Sequence, residues 1–384
     1  MSNQRPLLWG LVLAIFIVFL DTRVVAPLLP NVAHTFDISI PRAGWLISSY
    51  AVPYGLFQLV YGPIADRFGK IRVIAVAMIL FSIGTFLCGF TPSFGTTIAL
   101  RAITGAAAAA VFPLTLAYVG DTVPYANRQA TIAMLVASTG MASSLSTASG
   151  ALIAQALSWQ SVFPVFGVLG ALVTIYLLAL TNREQRIPAK VGAASAYGKA
   201  LRSRPLILLA TLAFVEGSLY FGGFSYLGAM LSERYVISTI GIGAMLSIVG
   251  VAQLVTASFV PRLVKRLREP QIVALGACAM GLALVTAAIT PSASTFPVSM
   301  VLLGAGFSLC HSTLQTRASE ALPGLRGTSI ALFAFALFLG NGLGTLAIGE
   351  LIAAAGYTAT IAGAGIAFWL FAWVAAASVA KPTS

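Results

Sequence analysis

The chain is a series of long apolar runs divided by short polar breaks. Twelve runs can be marked, at 8–30, 44–63, 73–91, 94–119, 130–157, 162–180, 206–231, 240–260, 272–290, 296–316, 329–351 and 358–380. As a helix, a run of about 20 apolar residues matches the roughly 30 Å hydrocarbon core of a bilayer. None shows the period-two alternation of a membrane strand. All twelve are therefore predicted to be transmembrane α-helices. The one extended polar stretch, Thr181 to Pro205, is rich in Ala, Gly, Ser and basic residues. The predicted fold is an all-α membrane protein, with a six-helix bundle over 1–181, a cytoplasmic linker over 182–205 and a second six-helix bundle over 206–384.

The two bundles are related. At an offset of 195, Asp21 falls on Glu216, Phe57-Gln58-Leu59-Val60 on Ala252-Gln253-Leu254-Val255, Arg67 on Arg262 and Lys70 on Lys265. Later in each half the offset is 199, which aligns Gly105, Asp121 and Pro124 with Gly304, Glu320 and Pro323. A duplicated membrane bundle with ionisable groups inside apolar helices has the layout of a secondary transporter.

Composition agrees, because 59% hydrophobic and 8% charged residues over 384 positions cannot cover a water-soluble surface. The net charge of +12 raises nucleic acid as a partner, but the placement of the charge argues against it. With the amino terminus inside, 18 of the 22 Lys and Arg fall in cytoplasmic segments, Arg42 and Arg234 face outside, and Arg23 and Arg101 lie within helices. That asymmetry is the positive-inside pattern. It predicts a multi-pass plasma (cytoplasmic, cell inner) membrane protein with both termini cytoplasmic and anionic lipid against its basic face. The first run carries Asp21 and Arg23 and is a poor signal peptide, so it is expected to be retained. Cys88, Cys278 and Cys310 sit in apolar runs without CxxC pairing, suggesting neither a disulfide framework nor a metal cluster.

Several polar residues in the apolar runs are candidates for chemistry. Glu216 lies near the middle of the seventh run, where an ionised carboxylate is costly unless a cation is close, so it is a candidate proton carrier. His311 in the tenth run has a side chain suited to charge switching, although a lone His in a bundle is more often a neutral hydrogen-bonding group. Gln58 and Gln253 are symmetry mates that can face a substrate or join helices. The Ser/Thr run from Ser138 to Ser149 is read as a packing surface, since small residues let helices approach. Asp21 and Arg23 are about 200° apart around a helix, so they cannot both point into one cavity. Asp21 is expected to face it.

At the end of the second run stands Gly62-Pro63-Ile64-Ala65-Asp66-Arg67-Phe68-Gly69-Lys70-Ile71-Arg72. This resembles the cytoplasmic loop signature of the major facilitator superfamily, Gly-x-x-x-Asp-Arg-x-Gly-Arg/Lys, with every specified position present. The resemblance implies the major facilitator fold, alternating access, no cofactor and a protein that usually acts as a monomer. It also implies a latch on the outward-open state built from Gly62, Asp66, Arg67, Gly69 and Lys70, with Asp121 as the expected partner of Arg67. The second half has Pro261 and Val264 in place of the acid and the second glycine, so the latch is expected on one side only.

Arg101-Ala102-Ile103-Thr104-Gly105 resembles the family's fourth-helix motif, in which the Arg lies near the proton pathway. Counting about 1.5 Å per residue, Arg101 lies roughly 10 Å below the outer boundary and Asp21 roughly 20 Å above the inner one, so the two share a level. Asp21, Arg101 and Glu216 are the expected proton-coupling residues. The expected cavity contains Asp21, Arg23, Gln58, Glu216, Gln253 and His311.

The proline-rich end of the first run, Pro27-Leu28-Leu29-Pro30, resembles the twelve-helix drug/proton antiporter branch. Trp159 and Phe163 supply that branch's aromatic anchor, yet the Gly-Pro of its fifth-helix motif is replaced by Ser146 and Thr147. The expected activity is proton-coupled efflux of small amphiphilic or drug-like molecules. Proton-coupled uptake of an organic anion is the alternative, and a non-transporting sensor or scaffold is a third. Enzymatic function is not expected, because neither His-Glu-x-x-His nor Gly-x-Ser-x-Gly is present and the two His are far apart. A Walker A loop is absent too.

Overall fold

The computed structural model describes residues 5–180, 193–322 and 324–380. Much of the expected connector, together with Pro323 and Lys381, lies outside them. Among the described residues the chain forms twelve long helices: α1 Arg5–Phe36, α2 Trp45–Phe68, α3 Lys70–Cys88, α4 Phe94–Thr122, α5 Tyr125–Ala156, α6 Val162–Leu180, α7 Arg204–Arg234, α8 Thr239–Leu263, α9 Glu269–Ile289, α10 Phe296–Glu320, α11 326–355 and α12 357–379. Helices satisfy every backbone group within the segment, which lipid cannot do for them. No strand occurs among the described residues.

Turns are set by residues that tolerate unusual backbone. Gly69, at φ 94° and ψ 141°, divides α2 from α3, and Gly356, at φ 78°, divides α11 from α12. A Cβ is disfavoured in both conformations.

Two helices are interrupted where prolines fall. In α1, regular helix stops at Thr22 and resumes at Leu29 through a 3₁₀ turn over Ala26–Leu28 that contains Pro27. In α4 the break falls between Ala108 and Val111. Pro113 lacks the N–H that would bond Ala109 four residues back, and Ala110 turns instead to Ala107.

The sequence repeat is visible in packing. A Cβ on Gly105 of α4 would collide with the Tyr50 carbonyl of α2, and one on Gly304 of α10 would collide with the Val249 carbonyl of α8. Both the glycines and their targets are related by the offset of 199. Bare backbone at these points allows the close helix approach that stands in for a hydrophobic driving force within lipid.

Between the halves, α2 packs on α11 and α5 on α8, again through glycines: Gly55 and Gly342 in the first pair, Gly140, Gly243 and Gly250 in the second. The Ser48 hydroxyl donates to the Gly342 carbonyl at 2.8 Å. Nearer the end that carries Trp45 and Trp159, Gly228 of α7 meets Ala26 and Pro27 of α1. There the Tyr226 hydroxyl reaches the Pro41 carbonyl of the first half at 3.4 Å, and the Gln155 side chain accepts from the backbone of Ile240 at 3.1 Å. These contacts shut the halves together from mid-helix to that end, away from the Gly69 turn.

Candidate transport site

Asp21 lies in the last turn before the break in α1, and Arg101 lies about two turns before the break in α4. Asp21 Oδ2 accepts from Arg101 Nη1 at 2.5 Å, with the two residues 0% and 1% exposed. The guanidinium is also caged by aromatic faces, 4.3 Å from the Tyr50 ring centre and 5.5 Å from that of Phe163. Phe163 is held through Trp159, whose indole N–H donates to Thr35 at 2.8 Å. The aromatic anchor thus supports the buried ion pair. Asp21 Oδ1 and Arg101 Nε have no partner, so the pair is tight but incompletely satisfied.

Next to it, the polar run of α5 secures the broken helix. Ser138 donates to the Val12 carbonyl at 3.1 Å and Ser146 to the Leu20 carbonyl at 2.5 Å. Ser146 therefore holds the turn in front of Asp21, in the position where the antiporter branch carries its glycine and proline.

Glu216 occupies in α7 the position that Asp21 has in α1. Its carboxyl is fully buried and meets His311 Nδ1 of α10 at 3.0 Å. Each half therefore ties its first helix to its fourth through a buried acid and a basic side chain. The sequence nominated Glu216 and His311 separately but did not join them. The imidazole stacks on Phe307 at 4.7 Å, Phe307 stacks on Tyr220 at 4.2 Å, and the Tyr220 hydroxyl accepts from Gln253 at 2.7 Å.

A pocket lies between the halves, walled by α1, α2, α5, α7 and α11. Of the six residues expected in the cavity, Arg23 lines it. Its guanidinium carbon lies 5.4 to 5.8 Å from the ring centres of Tyr220, Phe221 and Phe224. This reverses the expected orientation of α1: Asp21 turns into its own bundle toward Arg101, and the residue two positions on, past the end of regular helix, faces the pocket. Gln58, Glu216, Gln253 and His311 are not among the wall residues. Gln58 is buried in α2 with an unpartnered carbonyl oxygen. Sequence reading missed Asn341 of α11, which lines the pocket with its own carbonyl oxygen unpartnered.

At the Gly69 turn the ion pair also differs from expectation. Lys70 Nζ, not Arg67, meets Asp121 at 2.8 Å, while the Arg67 guanidinium lies 5.2 Å from the Phe68 ring centre. Lys70 is the first residue of α3, brought toward the end of α4 by the backbone turn at Gly69. Burial pushes the Asp66 carboxyl above its ordinary value; Lys70 pulls it down and Asp121 pushes it up. In the second half the corresponding end is joined by an ion pair of Arg317 with Glu269.

Twelve long helices in two related halves, with buried charge pairs and a pocket between them, define a multi-pass membrane transport protein. The chain belongs to the major facilitator superfamily, whose family profile matches residues 11–345. Members of this superfamily are transporters and not enzymes. The chain is 28% identical over 359 residues to the MFS-type transporter YceJ of Bacillus subtilis, covering 90% of this chain and 88% of that one. Over 191 residues it is 30% identical to multidrug resistance protein 3 of the same organism, covering 48% of this chain and 37% of that one. Among solved structures, an inward-facing, unoccupied bacterial homologue of the human lysosomal transporter Spinster superposes with a TM-score of 0.80 at 18% identity, covering 98% and 96% of the two chains. A D-xylose–proton symporter superposes at 0.75 with 17% identity, covering 97% and 96%.

Proposed function

We propose that the protein is a proton-coupled antiporter that exports small amphiphilic molecules by alternating access. The observation that carries this reading is the Asp21–Arg101 pair, buried beside the break in α1 and two residues from a pocket-lining side chain. A proton on Asp21 would remove the negative partner of Arg101 and loosen α1 from α4. Because Arg23 continues the same chain segment, that change reaches the pocket wall, and proton and substrate occupancy become linked. The Glu216–His311 pair makes the same kind of connection in the second half and is a second coupling candidate.

Direction draws support from the partial likeness to multidrug resistance protein 3 and to other efflux pumps. The contacts between the halves gather at the Trp45 and Trp159 end, which favours access from the side of the basic loops. The positive-inside distribution supports that side as the cytoplasm, and the proposed location is the plasma (inner) membrane with both termini cytoplasmic. A substrate taken from the cytoplasm would enter this conformation.

The test uses everted membrane vesicles acidified by respiration, with a pH-sensitive dye reporting proton release when candidate substrates are added. Substrate-induced proton release that vanishes in Asp21→Asn is the expected result. Undiminished release in that variant would remove Asp21 from the pathway, and inward substrate movement driven by protons would reverse the direction.

A further inference from the structure

The pocket between the halves has a charge character that neither the family nor its relatives assign. Arg23 is the one charged side chain among the described residues that line it. The two buried acids of the bundle are both engaged elsewhere, Asp21 with Arg101 and Glu216 with His311. Three aromatic rings surround the Arg23 guanidinium and supply no formal counter-charge.

The neutral polar groups do not set the sign of the pocket's charge, which comes from Arg23. Thr22 and Ser225 also line the pocket, but each hydroxyl proton is committed to a carbonyl of its own helix, at 2.6 and 2.7 Å. Asn341 is nine-tenths buried, and its side-chain oxygen has no hydrogen-bond partner. An amide can turn either end toward a ligand, so with Arg23 it can present donors to one acceptor group. The rest of the wall is mainly aromatic, including Phe19, Phe224 and Phe338.

We propose that this pocket binds amphiphilic organic anions, with an aromatic body against the phenyl rings and a carboxylate or similar oxyanion held by Arg23 and Asn341. The proposal rests on the reading of the chain as a small-molecule transporter and adds the charge class of the cargo. A guanidinium offers a planar fork of donors that matches a carboxylate. A cationic ligand would instead meet Arg23 with no carboxylate in the wall to offset the repulsion.

The test is equilibrium binding to the full-length protein in nanodiscs, without any gradient, using naphthoate, naphthylmethanol and naphthylmethyl-trimethylammonium as a charge series on one ring. Naphthoate is expected to bind tightest. Arg23→Gln is expected to weaken naphthoate about tenfold or more while changing naphthylmethanol little, as for a lost charge-assisted hydrogen bond. Arg23→Lys should recover part of the loss, and Asn341→Ala should weaken the anion selectively. Should Arg23→Gln not fold, protection of wild-type Arg23 from phenylglyoxal by naphthoate, read by mass spectrometry, tests the same contact. Tighter binding of the cation, no binding of any of the three, or an Arg23→Gln variant that holds naphthoate normally would overturn the proposal. Anion binding in a protein that releases no protons in vesicles would sink the antiporter reading and leave this one standing. Proton-linked export of cations in preference to anions would do the reverse.

Discussion

Asp21 and Arg101 are eighty residues apart in the chain and 2.5 Å apart in the fold, and neither is more than 1% exposed. An isolated charge of either kind near mid-membrane costs about 2.5–3.5 kcal/mol on insertion scales. Removing one partner of a buried pair costs more, about 3–5 kcal/mol, because the survivor keeps its desolvation without its attraction. Arg101→Met alone should therefore lower stability by about that amount. The double variant Arg101→Met with Asp21→Leu should be much less affected than the two single changes summed, since no charge is then left behind. Denaturant unfolding in mixed micelles across the four-protein cycle measures the coupling. Additive losses would mean that the two residues act independently, contrary to the geometry.

Gly105 and Gly304 test whether the duplication is structural as well as textual. Each faces a carbonyl oxygen of the second helix of its own half, so even a methyl group there forces backbone apart. Gly105→Ala and Gly304→Ala should each cost about 1–3 kcal/mol, the usual range for overpacking. Gly363→Ala serves as the control, because a Cβ at Gly363 in α12 meets nothing within 4 Å. The control should be neutral or slightly stabilising by helix propensity. Melting temperatures of the three variants in one detergent decide the matter, and equal melting for all three would deny the close approach.

The helices and the repeat were legible because lipid permits little else: twenty apolar residues must close their own hydrogen bonds, and duplication leaves matching glycines and acids in register. The level shared by Asp21 and Arg101 followed from rise per residue alone. Which way Asp21 and Arg23 point did not follow, because α1 is regular only to Thr22, and angular spacing on an ideal helix says nothing once the helix has ended. His311 was missed as the partner of Glu216 because its repeat mate is Phe112, while the mate of Arg101 is Met300. The two halves place their basic residue at different turns, so symmetry could not pair them, although depth counting along α7 and α10 would have put both near mid-helix. Asn341 gave no signal beyond being a lone amide in an apolar run. In the Gly69 turn, Lys70 and Arg67 are three residues apart, and the choice between them for Asp121 is made by a backbone angle that sequence does not display.

That turn yields a prediction about titration. Burial holds the Asp66 carboxyl above its ordinary value, with Asp121 adding to the rise and Lys70 opposing it. Asp121→Asn removes a negative neighbour and should lower the Asp66 titration midpoint. Lys70→Gln removes the positive neighbour and should raise it. Carboxyl carbon NMR on protein labelled at Asp follows both, with Asp66→Asn to assign the signal. Movement in the same direction for the two variants would contradict the arrangement. Because the Lys70–Asp121 pair is partly exposed, its loss should cost at most about 1 kcal/mol of stability.

Tyr226 of α7 is a side chain that crosses between the halves at the Trp45 and Trp159 end. Its hydroxyl donates to the Thr345 carbonyl of α11 at 3.0 Å, and the Pro41 carbonyl ahead of α2 lies 3.4 Å away, so one side chain of the second half reaches a segment of the first. A Cβ at Gly44 or at Gly349 would collide with that hydroxyl, which shows how closely both halves are fitted around it. Tyr226→Phe keeps the ring and removes the hydroxyl, and with it the contact to Pro41 that crosses between the halves, a hydrogen bond worth about 0.5–1.5 kcal/mol. If this contact exists only in the closed arrangement, the balance between closed and open should move by about twofold to tenfold toward open. Spin labels at Leu157 and Val236, exposed sites beyond the ends of α5 and α7, report it through their distance distribution. A longer-distance population that grows in Tyr226→Phe is the expected outcome. An unchanged distribution would mean that the gate is carried by the glycine-lined seams of α2 with α11 and α5 with α8, where Gly342→Leu would then be the variant that opens it.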